Sequence, residues 1–412
     1  MALTRGKLDC RCWLLAGFLV WTSVTSTSGQ ELTINTASQK PLILAHYMPW
    51  YEAPPASPRW GWHWTMNHFD PEQRTGEQRQ IASHYYPLIG PYDSGDVSVI
   101  EFHLLTMKLA GIDGVIVDWY GLTDYRDYAL LHRNTTRVLQ QAERLGMKFV
   151  ICYEDQTIPA LVEGQRILAT DRVAHAANEI SWLGKYWFKS GSYVKVDGRP
   201  LLLSFGQTGL TDAEWSQCLD QVETKVTYLS QHHRRTAAMG AFDWPVPAEP
   251  KGAWERFQKE SSTWPIAIPV AFPRFVDIYA EAKVGPSYGR MEDDQGATFA
   301  MMLEQGLRTD AAIVQLATWN DWGEGTQIEP SLEFGYRELE TVQRLRRQTV
   351  DPKFVPQPDD LRLPFTLFQE RQGANLDPSD NDKSLAEIAE LLAAEKLPEA
   401  RAKLKVPGKI YR

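Results

Sequence analysis

The chain has 412 residues, of which 43% are hydrophobic and 23% are charged, a composition typical of an ordinary globular protein. Its length allows two or three domains, or one large α/β barrel with an appendage. The formal net charge of −9, together with a sequence that shows no basic stripe, argues against a protein that binds nucleic acid.

The N-terminal residues have the pattern of a targeting signal. Basic residues precede a short apolar run at residues 13–21, and small and polar residues follow from Ser23 to Gly29. Because the apolar run is too short for a stable anchor, we predict a signal peptide over residues 1–29. The mature protein would be secreted or periplasmic, with no stable membrane insertion after cleavage. A membrane anchor that stays in place is the alternative.

Cysteine usage predicts neither a disulfide framework nor a metal centre. Only Cys152 and Cys218 follow the predicted signal peptide, and Cys152 lies inside an apolar run. A disulfide between them is possible but not favoured. Because no Cys/His cluster has metal-ligand spacing, we expect no metal and no other cofactor.

Apolar runs recur along the chain at intervals that fit a parallel sheet. They are apolar throughout rather than alternating, which is expected of parallel strands buried on both faces. The predicted strands are residues 41–48, 114–119, 148–154, 199–205, 237–239 (a weak signal), 266–270 and 311–318.

Helical patterns lie between these runs. The predicted helices are residues 100–110, 128–145, 171–188, 212–229 and 297–307. The repeated strand–helix order predicts an α/β fold, a (β/α)8 TIM-like barrel over residues 38–370. A doubly wound open sheet is the alternative, but no Gly-rich phosphate fingerprint follows the first run.

A composition shift near the C-terminus predicts a linker and a short helical tail over residues 371–412. Residues 375–383 are polar, and residues 384–404 carry apolar side chains at helical spacing. Pro398 divides this segment into a pair of helices. We expect the tail to pack against or tether the barrel rather than to catalyse.

Polar residues follow several predicted strands at the point where each strand ends. His46 ends the first run, Asp118 the second and Glu154 the third, and Asp321 follows the last. In a barrel all these ends open on one face, where active sites lie. The sequence therefore predicts one site there. The alternative is that strands simply end in polar residues.

Asp321 and Glu324 are the predicted catalytic pair. Trp319 and Trp322 flank Asp321, and glycines bracket Glu324. Hydrolysis of a glycosidic bond needs a proton donor and a second carboxylate at the anomeric centre. Burial beside apolar groups and another carboxylate raises the pKa of the donor. The alternative is a helix N-terminus with stabilising acids.

Other residues at these strand ends are predicted to bind a carbohydrate. Glu154 would accept a substrate hydroxyl, with a salt bridge or loop cap as the alternative. Asp118 and His46 would also contact hydroxyls, although His46 could merely pin its strand. The neighbours that complete this predicted substrate-binding set are Tyr47, Trp119, Trp319, Asn320 and Trp322.

An aromatic loop at residues 50–64 is the other candidate for sugar binding. It contains Trp50, Trp62, His63 and Trp64, and flat apolar rings stack well on pyranose faces. We predict a rim that closes over a carbohydrate. A buried subdomain core is the alternative.

Over residues 40–350 the chain resembles glycoside hydrolase family 99, the endo-acting α-mannosidases, and the related family 71 α-1,3-glucanases. The resemblance rests on His46–Tyr51, Gly61–Trp64, Gly114–Tyr120, the run ending in Glu154, and Asn320–Glu329. The last segment is the most specific, since it is similar to the family's Asn-Glu-Trp-(His/Gly)-Glu-Gly-Thr pattern.

The resemblance implies a (β/α)8 barrel, retaining chemistry and no metal. In family 99 one carboxylate is thought to deprotonate the sugar's own 2-hydroxyl, which attacks the anomeric carbon and gives an epoxide-like intermediate. A second carboxylate acts as general acid and then base. By position, Asp321 takes the first role and Glu324 the second. Glu154 matches a substrate-binding glutamate, and Trp119 an aromatic position after the second strand.

One departure from the family pattern concerns the first carboxylate. The family has Glu where this chain has Asp321, which is shorter by one methylene, or about 1.5 Å of reach. Since misplacement by about 1 Å is costly in an active site, the substrate or the geometry of the first step is expected to differ.

The sequence therefore predicts an exported glycoside hydrolase that cleaves α-linked glycans, such as a mannan-like polysaccharide, by a retaining two-carboxylate mechanism. The alternative is a non-catalytic carbohydrate-binding barrel derived from such an enzyme. A metal-dependent hydrolase using Asp118, Glu154 and His46 is a third hypothesis, which no ligand spacing supports.

Overall fold

A computed structural model describes residues 33–34, 40–374 and 381–404 of the chain. The predicted signal peptide lies outside these residues, as do residues 375–380 of the predicted linker and the end of the predicted tail. In the described parts, no helix has the length and apolar character needed to cross a membrane.

A nearly closed parallel sheet forms the centre of the protein. Its strands are β1 Leu42–Tyr47, β2 Gly114–Trp119, β3 Lys148–Glu154, β4 Arg199–Phe205, β5 Thr227–Gln231, β6 Gly240–Phe242, β7 Ile266–Ile268, β8 Val270–Ala271 and β9 Ile313–Leu316. Their order is β7-β6-β5-β4-β3-β2-β1-β9-β8. Only Pro269 separates β7 from β8, so the two ends of the sheet meet. This architecture confirms the predicted barrel over the doubly wound alternative.

Helices surround the sheet. They are α1 Val97–Ala110, α2 Tyr128–Arg144, α3 Arg172–Tyr186, α4 Asp212–Gln221, α5 Pro250–Ser261, α6 Ala297–Leu307, α7 Arg337–Leu345, α8 Leu363–Ala374, α9 Asn381–Ala393 and α10 Leu397–Lys403. Shorter helical segments are Trp62–Thr65, Thr157–Glu163, Ala169–Asp171, Asp294–Gly296, Arg346–Val350 and Pro358–Arg362. Two-residue strands pair at Thr33–Ile34 with Lys195–Val196, Arg74–Thr75 with Gln78–Arg79, and Phe275–Val276 with Arg290–Met291.

The helix prediction over residues 212–229 was wrong in its second half. Thr211 and Glu214 form a capping box that starts α4, as the sequence suggests, but the helix ends at Gln221. Val222 is extended, and the chain then enters β5, a strand that was not predicted from the sequence. The pairing of β5 with β4 and β6 overrides the helical pattern of its residues.

Smaller differences occur elsewhere. The weak strand predicted at 237–239 lies three residues later, as β6. Helices α5 and α8 were not predicted, while α1, α2, α3 and α6 lie within a few residues of their predicted positions.

The alternation of side chains along the strands decides what faces the barrel interior. Asp118 is paired with Cys152, and paired residues of neighbouring strands face the same side of a sheet. Atoms of His46, Asp118 and Cys152 converge inside the barrel, which fixes these residues as inward-facing. Glu154, two residues after Cys152, lies on the same inner face. Tyr47, Trp119 and Tyr153 therefore point outward, towards the helices.

The C-terminal helices pack against the barrel body. Arg371 of α8 forms an ion pair with buried Glu101 of α1, and Arg401 of α10 pairs with Asp360 at 2.6 Å. Leu392 of α9 is fully buried in the main hydrophobic core. The predicted boundary between residues 370 and 371 falls inside α8. Two helices, α9 and α10, follow as the proline pattern predicts.

We expect Leu392→Ala to destabilise the whole barrel by about 2–4 kcal/mol, because it removes fully buried methyl groups and leaves a cavity. Chemical denaturation followed by tryptophan fluorescence measures this change. The matched control is Leu391→Ala, since Leu391 is only half-buried and should cost about 1 kcal/mol or less. A separate early transition of the tail, with an unchanged main transition, would contradict the prediction.

Candidate active site

Three inward side chains form the base of a cup at the carboxyl ends of the strands. We call His46, Asp118 and Cys152 the floor; one nitrogen, oxygen or sulfur atom of each lies within 4.8 Å of the others. All three side chains are buried. Burial lowers the pKa of His46 to about 3, against a smaller opposing effect of Gln315, so the imidazole is neutral.

Glu154 forms the wall of the cup next to the floor. Burial raises the pKa of Glu154 well above its usual range, and the nearby carboxylates of Asp118 and Asp155 add to the shift. The pKa of Asp118 is raised by burial and by the charge of Asp321. The charge of Asp118 acts on Glu154, and the charge of Asp321 acts on Asp118. Strands β2 and β3 and the loop after β9 therefore contribute to one site.

The segment Thr318–Thr326, which we call the acid loop, follows β9 and carries Asp321 and Glu324. The Thr318 hydroxyl accepts the backbone N–H of Asp321 at 2.7 Å. In turn Asp321 Oδ1 accepts the backbone N–H of Glu324 at 3.0 Å. Local hydrogen bonds of this kind make a tight turn that fixes the Asp321 carboxyl group and the backbone of Glu324.

Gly325 lets the acid loop pass close to a neighbouring segment. Its φ of 69° lies in the left-handed region, which glycine adopts without steric cost. A Cβ atom there would lie 2.7 Å from the Val276 carbonyl oxygen. The same approach allows Val276 to donate its N–H to the Glu324 carbonyl at 2.9 Å. Glycine is therefore required at this position of the acid loop.

The two acids have different electrostatic environments. Burial raises the pKa of Asp321 to about 7, while backbone N–H groups of Glu324 and Gly323 oppose the rise. Burial raises the pKa of Glu324 well above its usual range, and the charges of Asp321 and Asp277 raise it further. Glu324 Oε2 is buried without a hydrogen-bond partner among the described residues. Glu324 is thus the group that keeps its proton at neutral pH.

Asn320 ties the acid loop to the end of the first strand. Its Nδ2 donates to the Met48 carbonyl at 2.9 Å, and its Oδ1 accepts the Met48 N–H at 2.8 Å. The Tyr51 hydroxyl donates to the Asn320 carbonyl at 3.0 Å and accepts the Trp322 N–H at 3.1 Å. These bonds fix the backbone on both sides of Asp321.

Next to these hydrogen bonds, Glu329 belongs to a second group of buried polar residues. Its Oε2 accepts from the Tyr92 hydroxyl at 2.7 Å and from Trp322 Nε1 at 3.2 Å. Its Oε1 lies 3.0 Å from His103 Nε2, and His103 Nδ1 lies 3.0 Å from the Tyr47 hydroxyl. A buried network with satisfied partners restricts the position of the loop above it.

Five residues of the predicted substrate-binding set lie behind the cup rather than in it. Trp119 donates to His132 Nδ1 at 3.2 Å and packs on Trp187 in the helical layer. Trp319 is fully buried with its ring centroid 5.5 Å from that of His103. Tyr47, Asn320 and Trp322 belong to the networks described above. Strand alternation explains the placement of Tyr47 and Trp119, because each directly follows an inward-facing residue and so points outward.

The aromatic loop divides into a buried part and an exposed part. Trp64 is fully buried and donates its indole N–H to the Tyr92 carbonyl at 2.7 Å. Trp50 stacks on His63 with ring centroids 4.3 Å apart. Trp62 is 42% exposed. The buried-core alternative therefore holds for Trp64, whereas sugar binding by the exposed Trp62 stays a prediction.

A cleft of about 930 Å³ adjoins the exposed part of the aromatic loop. Aromatic and charged side chains line it, among them Arg59, Trp60, Trp62, His63, Tyr120 and Asp127. His63 Nε2 lies 3.5 Å from Asp127 Oδ2, which holds the imidazole at the cleft wall. Such a volume has room for an oligosaccharide segment.

Sequence reasoning missed two tyrosines near the carboxylates. Tyr120 has its pKa raised by burial and by the charges of Asp118 and Glu154, so it lies beside them. Its position two residues after Asp118 was a usable signal. Tyr279 has its pKa raised by burial and by Glu324 and Asp321. It comes from a loop between β8 and α6 that carries no periodic pattern.

Comparison with known proteins supports one family. Residues 39–161, which include His46, Asp118 and Glu154, match the family described as Glycosyl hydrolase family 99. A "Glycoprotein endo-alpha-1,2-mannosidase-like protein" of Danio rerio is 20% identical, over 69% of each chain. The "Glycoprotein endo-alpha-1,2-mannosidase" of Rattus norvegicus is 33% identical, but over only 19% of each chain.

A solved structure shows the same fold. The GH99 endo-alpha-mannosidase from Bacteroides thetaiotaomicron superposes with a TM-score of 0.58 at 17% identity. The match covers 79% of this chain and 99% of that one. The barrel fold is therefore shared with that protein.

The different surroundings of Trp119 and Trp62 predict losses of stability of different size when each side chain is truncated. Trp119→Ala should cost about 3–5 kcal/mol because it empties a buried site between β2 and the helices. Trp62→Ala should cost about 1 kcal/mol or less, since the ring is substantially exposed. Thermal and urea unfolding of both variants measure the difference, with Trp119→Phe as the milder control. Equal losses would contradict the assignment of Trp119 to the core.

Proposed function

We propose that this chain, a glycoside hydrolase family 99-like protein, hydrolyses α-mannosyl linkages within glycans. The observation that carries the proposal is the pair Asp321 and Glu324. Both carboxyl groups are buried at the mouth of a family 99-like barrel, and their surroundings separate their protonation states. The names of the similar proteins favour an α-mannosidic substrate among the α-linked glycans.

In the proposed reaction, Glu324 is the general acid. Its proton passes to the glycosidic oxygen as the bond to the anomeric carbon breaks. Asp321, ionised, accepts the proton of the sugar's 2-hydroxyl, and that oxygen attacks the anomeric carbon. Glu324, now ionised, then deprotonates a water that opens the intermediate, while Asp321 returns its proton to the 2-oxygen. Two displacements at one carbon retain the anomeric configuration.

The geometry of the acid loop suits this division of labour. One oxygen of Asp321 is fixed by the Glu324 N–H, and Oδ2 accepts no hydrogen bond from the described residues. An oxygen without a partner is available to a substrate hydroxyl. Because Asp is one methylene shorter than Glu, the reacting sugar would lie about 1.5 Å closer to the loop than a Glu would require.

Residues of the floor, wall and cleft would hold the sugar chain. Glu154, Asp118 and neutral His46 offer hydrogen bonds to hydroxyls of the reacting residue. Trp62 and Tyr120 offer flat faces to further residues along the cleft. A cleft of this volume beside the aromatic loop has room for several sugar residues and favours polymeric substrates over short glycosides. We also propose export of the protein, which rests on the sequence of residues 1–29.

One observation favours a second candidate function, a carbohydrate-binding barrel without turnover. Asp321 Oδ1 is engaged in the turn of the acid loop, as the side chain of a purely structural cap would be. Such a protein would keep the cleft and bind mannan-like chains. It would release no reducing ends from them.

Glu324→Gln should lower turnover of an α-mannan by about 10²–10⁴-fold, because glutamine cannot donate a proton to the leaving oxygen. Reducing-end release and NMR of the product anomer measure the effect. The matched control is Glu333→Gln, an exposed glutamate nine residues after Glu324 and twelve after Asp321, which should leave turnover unchanged. Activity within a few-fold of wild type would remove Glu324 as general acid. Binding without any release by the wild type would favour the second candidate.

The acid limb of the pH profile should lie near neutrality. Asp321 must be ionised to act as base, and burial raises its pKa to about 7, so kcat/KM should fall below that pH by about tenfold per pH unit. Glu324 keeps its proton to higher pH because its pKa is raised further, which leaves activity at and above neutrality. Initial rates over roughly pH 5 to pH 9 check this. A profile that stays flat down to the usual pKa of an aspartate would contradict the proposed base.

A further inference from the structure

The floor of the barrel brings together three different metal-ligand atom types. A nitrogen of His46, a carboxylate oxygen of Asp118 and the sulfur of Cys152 all lie within 4.8 Å of one another. They come from three adjacent strands, β1, β2 and β3, whose pairing fixes their relative positions. No sequence spacing reveals this cluster, since its members are separated by long segments of chain.

Polar atoms of the floor are left without partners. By hydrogen-bond geometry neither His46 Nδ1 nor His46 Nε2 has a partner among the described residues, although the Gln315 side chain is near enough to act on the imidazole. Asp118 Oδ1 also has no partner among them. His46 is fully buried, and Asp118 is 4% exposed. Buried polar atoms normally have a partner, because an unpaired one costs free energy. Gln315 Oε1, on the inner face of β9, is also unpaired. The floor therefore has the character of a ligand site.

We propose that the floor binds one thiophilic divalent cation of the Zn²⁺ class through His46, Asp118 and Cys152. Imidazole, carboxylate and thiolate are all ligands of Zn²⁺, and ligand atoms of a tetrahedral site lie about 3–4 Å apart, within the span of this cluster. Hard cations such as Mg²⁺ and Ca²⁺ take oxygen ligands and would not use the sulfur. The chemistry of the donors thus selects the class of ion.

Strand pairing already brings the three ligand side chains together. The strands fix the backbone of each ligand, and neutral His46 has an unshared electron pair on one ring nitrogen. The Cys152 thiol and the Asp118 carboxyl group both release their protons to solvent as their bonds to the metal form. Three protein ligands leave the fourth position to water or to another small oxygen ligand.

In the proposed hydrolysis His46 and Asp118 contact substrate hydroxyls, and a bound ion would take the place of those contacts. The inference itself stands on the floor geometry alone. Direct binding measurements therefore test it whether or not the chain cleaves a glycan. The second buried cysteine, Cys218, provides a matched control because it is also free and fully buried, but lies on α4 away from the floor.

Co²⁺ is a suitable probe because it takes Zn²⁺ sites and gives a thiolate-to-metal charge-transfer band in the near ultraviolet. The full chain, reduced and stripped with a chelator, is titrated with Co²⁺, and Zn²⁺ bound after gel filtration is measured by mass spectrometry. We expect one equivalent per chain and the charge-transfer band in the wild type and in Cys218→Ser. We expect Cys152→Ser to lose the band and to bind Zn²⁺ at least about tenfold more weakly.

A thermal-shift measurement covers the case in which a variant folds poorly. Zn²⁺ should raise the melting temperature of the wild type and of Cys218→Ser, and should leave that of Cys152→Ser or His46→Gln unchanged. A wild type without the band and without stoichiometric Zn²⁺ would overturn the proposal. Equal loss of binding in Cys218→Ser and Cys152→Ser would overturn it too, because the ion would then not be held by the floor.

Discussion

Adjacent side chains on a strand point to opposite faces, and in a closed parallel barrel this alternation decides which polar residues meet. Asp118 faces the cup, whereas Trp119 joins the helical layer and packs on Trp187. His46 and Tyr47 divide in the same way. A shift of register by one residue would exchange these sets, burying the acids among the helices. The strand pairing is therefore the constraint on which the whole site depends.

The acid loop shows how a barrel holds carboxyl groups that destabilise it. Burial of an ionised carboxylate is unfavourable, and it raises the pKa of Asp321 and Glu324 instead. The loop stays in place because Asn320 and Tyr51 fix its backbone to the end of β1. Hydrogen bonds between uncharged groups around the acids thus hold the acid loop in place. Strongly shifted acids in a cleft are typical of functional sites.

Two long loops follow barrel strands at the carboxyl face, and the first of them lines the cleft. The aromatic loop lies between β1 and α1, and the segment containing Tyr279 lies between β8 and α6. The first contributes a buried cluster around Trp64 that supports its exposed tip at Trp62. Loops of this kind vary more freely than the strands beneath them, because few core contacts depend on their tips. The substrate of a barrel enzyme is set largely by such segments.

The sequence alone determined the barrel, most of its strands, and the acids of the site, because uniformly apolar runs followed by polar residues are features of local sequence. It also identified Asp321 and Glu324 and the family resemblance of their segment. The tertiary structure decided which neighbours share the cup. The burial of Trp119 and Trp319 behind the cup depends on which way their side chains point and on the neighbours they pack against. Residues of β5 form a strand because two partner strands pair with them. The convergence of His46 and Cys152 depends on pairing between residues far apart in the chain, which local patterns do not encode.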